Sequence, residues 1–294
     1  MDESRAPLGA TASPPIEADI SLAAGDGVAL MARHWASPRG RGVLVVSHGF
    51  GEHGGSYRGL AEALVGSLGL DVLAFDYRGH GRSGGKRGVV RTYADLSLDL
   101  AAAIDWATKA RPGRRPFLFG HSNGGLVAIG SILHRGGDPG LAGLILSNPS
   151  LRVTAEVPPW KRAAGEVLRR VAPSVTLDAG LSAAQLTTDP EILATLQGDP
   201  LRHRRISPRL YFGMVAAGPV ALARAGEVRL PALVLLGGAD HVTDPESGRL
   251  FFDRLGSPDK TLEFYPEMRH EPLNEAGRGR VIADIDRWIG DRLG

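Results

Sequence analysis

The chain alternates short apolar runs with segments of helical spacing. Val43-Leu44-Val45-Val46, Val72-Leu73-Ala74-Phe75, Phe117-Leu118-Phe119, Leu144-Ile145-Leu146 and Leu233-Val234-Leu235-Leu236 are near-continuous apolar stretches of strand length, and Leu262-Glu263-Phe264-Tyr265 is a last, mixed one. Strands that are apolar at every position suit a parallel sheet covered on both faces. Between them Leu60, Leu64 and Leu68 recur at helical spacing, as do Leu96, Leu100, Ala103 and Ile104. Leu250, Phe251, Arg254 and Leu255 do so less cleanly. This alternation predicts a doubly wound α/β fold with a mostly parallel central sheet. Ile20 to Leu22 and Val28 to Trp35 predict an antiparallel lead-in around a turn at Gly25-Asp26-Gly27.

The alternation breaks after Leu146. From about 151 to 228 no strand pattern is convincing, and Pro158, Pro159, Pro173, Pro190, Pro200, Pro208 and Pro219 separate short helical pieces. The expected organisation is an α/β core of residues 16–150 and 229–294, with 151–228 inserted as a helical cap over the sheet. Residues 1–15 carry Pro7, Gly9, Pro14 and Pro15 without apolar periodicity and read as a frayed tail. Within the insertion, Trp160, Ala164, Val167, Leu168 and Val171 fall on one helical face, with Lys161, Arg162, Arg169 and Arg170 largely off it. Two readings fit that stripe. It packs on the domain below, or it lies at a lipid interface with its basic residues near head groups.

With 294 residues, 43% of them hydrophobic, the chain can bury a large core. A formal charge of +2 gives no reason to expect a nucleic-acid partner. The absence of cysteine excludes disulfides, thiolate chemistry and Cys-ligated zinc. Neither a signal peptide nor a run of about 18 apolar residues stands out, so the expectation is a cytoplasmic chain, with membrane contact at most peripheral.

Gly120-His121-Ser122-Asn123-Gly124 satisfies G-x-S-x-G, follows the apolar run Phe117 to Phe119 and opens a helical segment, Leu126 to Leu133. A sharp strand-to-helix turn of this kind, the nucleophile elbow of an α/β hydrolase, lifts its serine above the sheet. A serine hydroxyl needs a base, and in that fold the partners follow in the order Ser, acid, His. Asp240 comes just after the run Leu233 to Leu236, and His270 just after Leu262 to Tyr265. Both positions are C-terminal strand ends, where open α/β sheets place their sites. Asp244 is the rival acid, but with Pro245 behind it the pattern is that of a helix cap. His241 and His121 read as loop or structural residues. The oxyanion needs preorganised donors. The N–H of Asn123 is one candidate, and the N–H of Phe50, in His48-Gly49-Phe50-Gly51 after an early strand, is the other.

Two patterns are set aside. Gly79-His80-Gly81-Arg82-Ser83-Gly84 satisfies G-x-G-x-x-G but runs into Gly85-Lys86-Arg87-Gly88, which does not start a helix as a dinucleotide site requires. His48, His53 and His80 share no standard metal-ligand spacing. No cofactor or metal is expected.

Taken together the motifs resemble the monoacylglycerol lipase and lysophospholipase group of α/β hydrolases over roughly residues 40 to 290. His48-Gly49-Phe50-Gly51-Glu52-His53 is similar to that group's H-G-x-G-E-H, Asp76 to Ser83 to its D-x-x-G-H-G-x-S, and Gly120 to Gly125 to its G-H-S-M-G-G. Gly238-Ala239-Asp240, Asp199-Pro200-Leu201 and His270-Glu271 with Asn274-Glu275 also have counterparts. The resemblance implies Ser122 as nucleophile, Asp240 as acid, His270 as base, and Phe50 and Asn123 as oxyanion donors. It implies a single-chain lipid ester as substrate, a monoacylglycerol first and a lysophospholipid next. A general esterase, a peptidase or a catalytically dead binding protein are the other readings. Two positions depart from the group: Asn123 stands where methionine is common, and Ser56 stands before Tyr57 where arginine is common.

Overall fold

The computed structural model describes residues 16–137, 140–154 and 158–293; the expected tail, 1–15, lies outside them. The lead-in is a hairpin of β1 (Ile16–Ala23) and β2 (Ala29–Ala36). There follow β3 (Val43–Ser47), α1 (Arg58–Leu68), β4 (Asp71–Phe75), α2 (Asp95–Ala110), β5 (Phe117–His121), α3 (Ser122–His134) and β6 (Gly143–Ser147). The chain then leaves the sheet through α4 (Pro159–Val171), β7 (Leu177–Asp178), α5 (Pro190–Gly198), β8 (Arg205–Ile206) and α6 (Pro208–Ala223). It returns with β9 (Ala232–Gly237), α7 (Pro245–Arg254), β10 (Lys260–Tyr265) and α8 (Arg278–Gly290).

Eight strands form one sheet in the order β1-β2-β4-β3-β5-β6-β9-β10. β1 and β2 pair antiparallel with their neighbours, and all pairs from β4 to β10 are parallel. Strands β3, β4, β5, β6 and β9 are buried at every residue, which is why they read as unbroken apolar runs. Alternate residues serve opposite faces. Val43 and Val45 join Leu96 and Leu100 of α2 and Ile129 of α3 in one core cluster. Leu44 and Val46 join Leu60 and Leu64 of α1 and Ile285 and Trp288 of α8 in the other. Because β3 lies between β4 and β5, the chain reverses its direction of travel across the sheet there. A crevice at the C-terminal ends of β3 and β5 follows from that topology.

The excursion between β6 and β9 differs from the sequence expectation in one respect. Leu177–Asp178 and Arg205–Ile206 form a small antiparallel pair, Leu177 opposite Ile206. A two-residue strand shows no period, so the pattern could not reveal it. The prolines here punctuate rather than only interrupt. Pro159, Pro190 and Pro208 each stand in the first turn of their helix, and Asp189 and Ser207 cap α5 and α6. Helix α4 rests on α6 through Gly165, its one buried residue, against Phe212. The packing reading of its apolar stripe fails for four of its five members: Trp160, Val167 and Val171 are 69%, 58% and 73% exposed, and Ala164 is exposed too. No described helix is long and apolar enough to cross a membrane.

Candidate active site

β5 delivers Ser122 at the first position of α3, with φ at 51°, a left-handed backbone that a side chain rarely adopts. Such strain persists only where the surroundings dictate it. Here Gly124 sits so close beneath the end of β3 that a Cβ would approach the Ser47 and His48 carbonyl oxygens to 2.2 and 2.3 Å. The tight turn aims the Ser122 hydroxyl out of the sheet.

His270, in the loop after β10, brings its Nε2 to 2.8 Å from Ser122 Oγ and its Nδ1 to 2.8 Å from Asp240 Oδ2. A carboxylate can only accept, so Nδ1 carries the proton, and in the neutral ring Nε2 is left to accept from the serine. Asp240, in the loop after β9, also accepts from the backbone N–H of Val242 and Thr243 and from the Thr243 hydroxyl. Burial alone would push Asp240 up. The charge and hydrogen bond of His270, with the Thr243 donors, more than offset this and hold it below the ordinary aspartate value. Burial alone would likewise push His270 down, but Asp240 above all, then Glu271 and Glu52, hold it above the ordinary histidine value.

The rival carboxylate does something else. Asp244 Oδ1 accepts from Glu246 N at the start of α7, and its other oxygen accepts from Arg152 at 2.7 Å. His121 turns its Nδ1 to the Ser147 carbonyl at 3.0 Å, and burial pushes it down to about 3. The loop carrying Phe50 lies against the elbow, since a Cβ on the preceding Gly49 would come within 3.1 Å of Ser122 Cβ. Asn123 follows Ser122 in α3, and its side chain accepts from Tyr93 OH at 2.7 Å. The His48 and His80 rings lie 5.3 Å apart, but the histidines face separate partners: His48 Nε2 accepts from Tyr77 N, His53 Nε2 meets Asp199, and His80 Nδ1 meets the Arg78 carbonyl.

Three features escaped sequence reasoning. Ser150, after β6, places its Oγ 3.1 Å from Ser122 Oγ, and no pattern marks it. Asn148, also at positive φ, accepts from Gly237 N at 2.8 Å and donates to the His270 carbonyl at 2.9 Å, so one side chain ties the loops after β6, β9 and β10. Glu52 and Glu271 are buried beside the site; both stood inside quoted motifs, and that was their only signal.

Ser122 and His270 open into a cavity of about 840 Å³. Its far wall comes from the excursion between β6 and β9, with Leu177, Leu181, Leu186 and Leu196 beside Arg204 and Arg205.

An eight-stranded, mostly parallel sheet with this crevice is the α/β-hydrolase fold, and the protein is a serine ester hydrolase. More narrowly, residues 38–277 match the family described as serine aminopeptidase, S33, and the chain belongs to it. It is 32% identical over 254 residues to the monoacylglycerol lipase of Mycolicibacterium smegmatis, covering 86% of this chain and 89% of that one. It is 32% identical over 300 residues to the monoglyceride lipase of Homo sapiens, covering 99% and 97%. The crystal structure of Paleococcus ferrophilus monoacylglycerol lipase superimposes with a TM-score of 0.81 at 32% identity, over 90% of this chain and 99% of that one.

Proposed function

We propose that the protein hydrolyses monoacylglycerols through an acyl-enzyme formed on Ser122. His270 Nε2 takes the serine proton as Oγ attacks the ester carbonyl, and the backbone N–H groups of Phe50 and Asn123 receive the oxyanion. The imidazolium, steadied by Asp240, returns the proton to the departing glycerol oxygen. Water then enters by the same base and releases the fatty acid. The observation that carries this reading is the unbroken hydrogen-bonded run Ser122–His270–Asp240 opening into a leucine-walled cavity. Each methylene buried against those leucines contributes about 0.8 kcal/mol.

Residues 151–228 act as a cap that closes the cavity over one acyl chain. The exposed stripe of Trp160, Val167 and Val171 on α4, with Lys161 and Arg170 exposed beside it, rests transiently on a membrane or micelle from which the substrate is drawn. Arg204 and Arg205 on the wall favour a second reading, a lysophospholipase, because a phosphate would find positive charge there. A panel of pure substrates in matched micelles tests both. The expected order of kcat/KM is monoacylglycerol, lysophospholipid, then triacylglycerol, whose three chains a capped cavity cannot admit. Equal rates on mono- and triacylglycerol remove the cap reading. Faster cleavage of aminoacyl amides than of any lipid ester makes the protein a peptidase.

A further inference from the structure

Beside the Ser122–His270 pair lies a buried charge cluster that the proposed reaction does not use. Glu52 and Glu271 are 3% and 5% exposed, and the cation between them is Arg202, from the segment between α5 and β8. Arg202 Nη2 donates to Glu271, while Nη1 stands 4.0 Å from Glu52 Oε2. Nη1 is buried with no hydrogen-bond partner among the described residues, so toward Glu52 it acts as charge at short range. Two carboxylates this deep and this close do not both stay ionised without such a cation.

Each carboxylate holds backbone that the chemistry depends on. Glu52 Oε1 accepts from Gly49 N at 2.5 Å and from Tyr57 OH at 3.0 Å, and Gly49 leads directly into Phe50. Glu271 is next in sequence to His270; its Oε2 accepts from Asn274 at 2.6 Å, and its N–H donates to the Leu186 carbonyl at 2.9 Å. The segment bearing Arg202 grips the same loop twice more: His53 Nε2 meets Asp199 Oδ2 at 2.8 Å, and His203 N donates to the Gly51 carbonyl at 2.8 Å. Tyr57, His121 and His270 are the other titratable groups facing the cluster. Burial, then the Glu271 charge, push Glu52 up to about 7, against the pull of Arg202. Burial pushes Glu271 up too, but Arg202 and His121 more than offset it. Ser56, which carries no charge, lines a small cleft with Glu52 and Glu271, and the cation beside the pair is Arg202 from the excursion.

We propose that Arg202 is a positioning residue for ester hydrolysis: its guanidinium neutralises Glu52 and Glu271, fixes the loops that carry Phe50 and His270, and keeps two anions from over-stabilising the His270 imidazolium. This rests on reading His270 as the base. The test is the pH dependence of fluorophosphonate labelling of the full chain, which reports the nucleophile without lipid binding. Arg202→Met should move the acidic limb up by roughly one pH unit, and Arg202→Lys should keep it near the wild-type position. Glu52→Gln, which retains an accepting oxygen, should move the limb down. The double variant Arg202→Met with Glu52→Gln should bring it back toward wild type. If Arg202→Met alone does not fold, the double variant, which loses one anion with the cation, is compared with Glu52→Gln, and its limb should lie above that of Glu52→Gln. One common limb in all folded variants overturns the proposal, since an Arg202 that only packs would lower stability without moving it. Labelling of Ser122→Ala at the wild-type rate is a different failure: it overturns Ser122 as the nucleophile that His270 activates, and the proposal with it.

Discussion

The two walls of the cavity are built on different terms. On the sheet side, Ser122 and Asp240 follow strands buried at every residue and His270 is itself buried in the loop after β10, each side chain held by several partners. On the other side, α5 buries no residue, and β7 and β8 are two residues each. Burial is what over-determines geometry, so placement to a few tenths of an ångström is available on the first wall and not on the second. Chemistry that fails when an atom moves by 1 Å belongs on the sheet side. Recognition of an acyl chain, which is non-directional, tolerates the looser wall.

The largest expected effect lies on the sheet side. Ser122→Ala should lower kcat by on the order of 10⁴–10⁶ while the melting temperature stays put. A folded Ser122→Ala protein that keeps a tenth of the activity would break the contrast at its root. Next, Asp240→Asn should cost on the order of 10⁴ in kcat by spoiling the His270 tautomer. Asp244→Ala should instead cost about 1 kcal/mol of stability through the lost α7 cap. Measuring kcat and unfolding midpoints of both separates them, and the opposite pattern would make Asp244 the acid.

A smaller, graded effect concerns pH. The base works when neutral, and Asp240 holds its protonated form above the ordinary histidine range. kcat/KM should therefore rise with pH through a single limb whose midpoint lies above about 6.5. A profile flat between about pH 5 and 8 would argue against His270 as base. The smallest effect should come from α4, which lies outside the cavity lining. Trp160→Ala with Val167→Asp should weaken binding to anionic vesicles and leave both the melting temperature and the hydrolysis of a short soluble ester unchanged. Loss of stability in that variant would mean that the stripe packs on protein.

The same contrast explains what could be read from the chain. The strands of the parallel core announced themselves as unbroken apolar runs, because both faces are covered. Ser122, Asp240 and His270 fall where topology demands, at successive strand ends, so order and spacing sufficed to bring them to one place. Helix α8 went unread although Val281, Ile285, Trp288 and Ile289 give it a clear buried stripe. The partners that support the site were mostly not legible. Ser150 and Asn148 act from a loop with no period, and Arg202 meets Glu52 across 150 residues of chain by tertiary packing alone. The orientation of α4 was not legible either. An amphipathic stripe shows that a helix has two faces, and it does not show which one meets solvent.

Asn148 gives the fold a further property. Its carboxamide accepts from Gly237 at the end of the ninth strand and donates to the carbonyls of Arg269 and His270 beyond the tenth. It thus ties the loop after the sixth strand to the end of the ninth and to the loop beyond the tenth. The segments bearing Asp240 and His270 are therefore coupled in opening through one side chain. Their amides should show similar protection from exchange, and loss of the Asn148 carboxamide should lower protection in both.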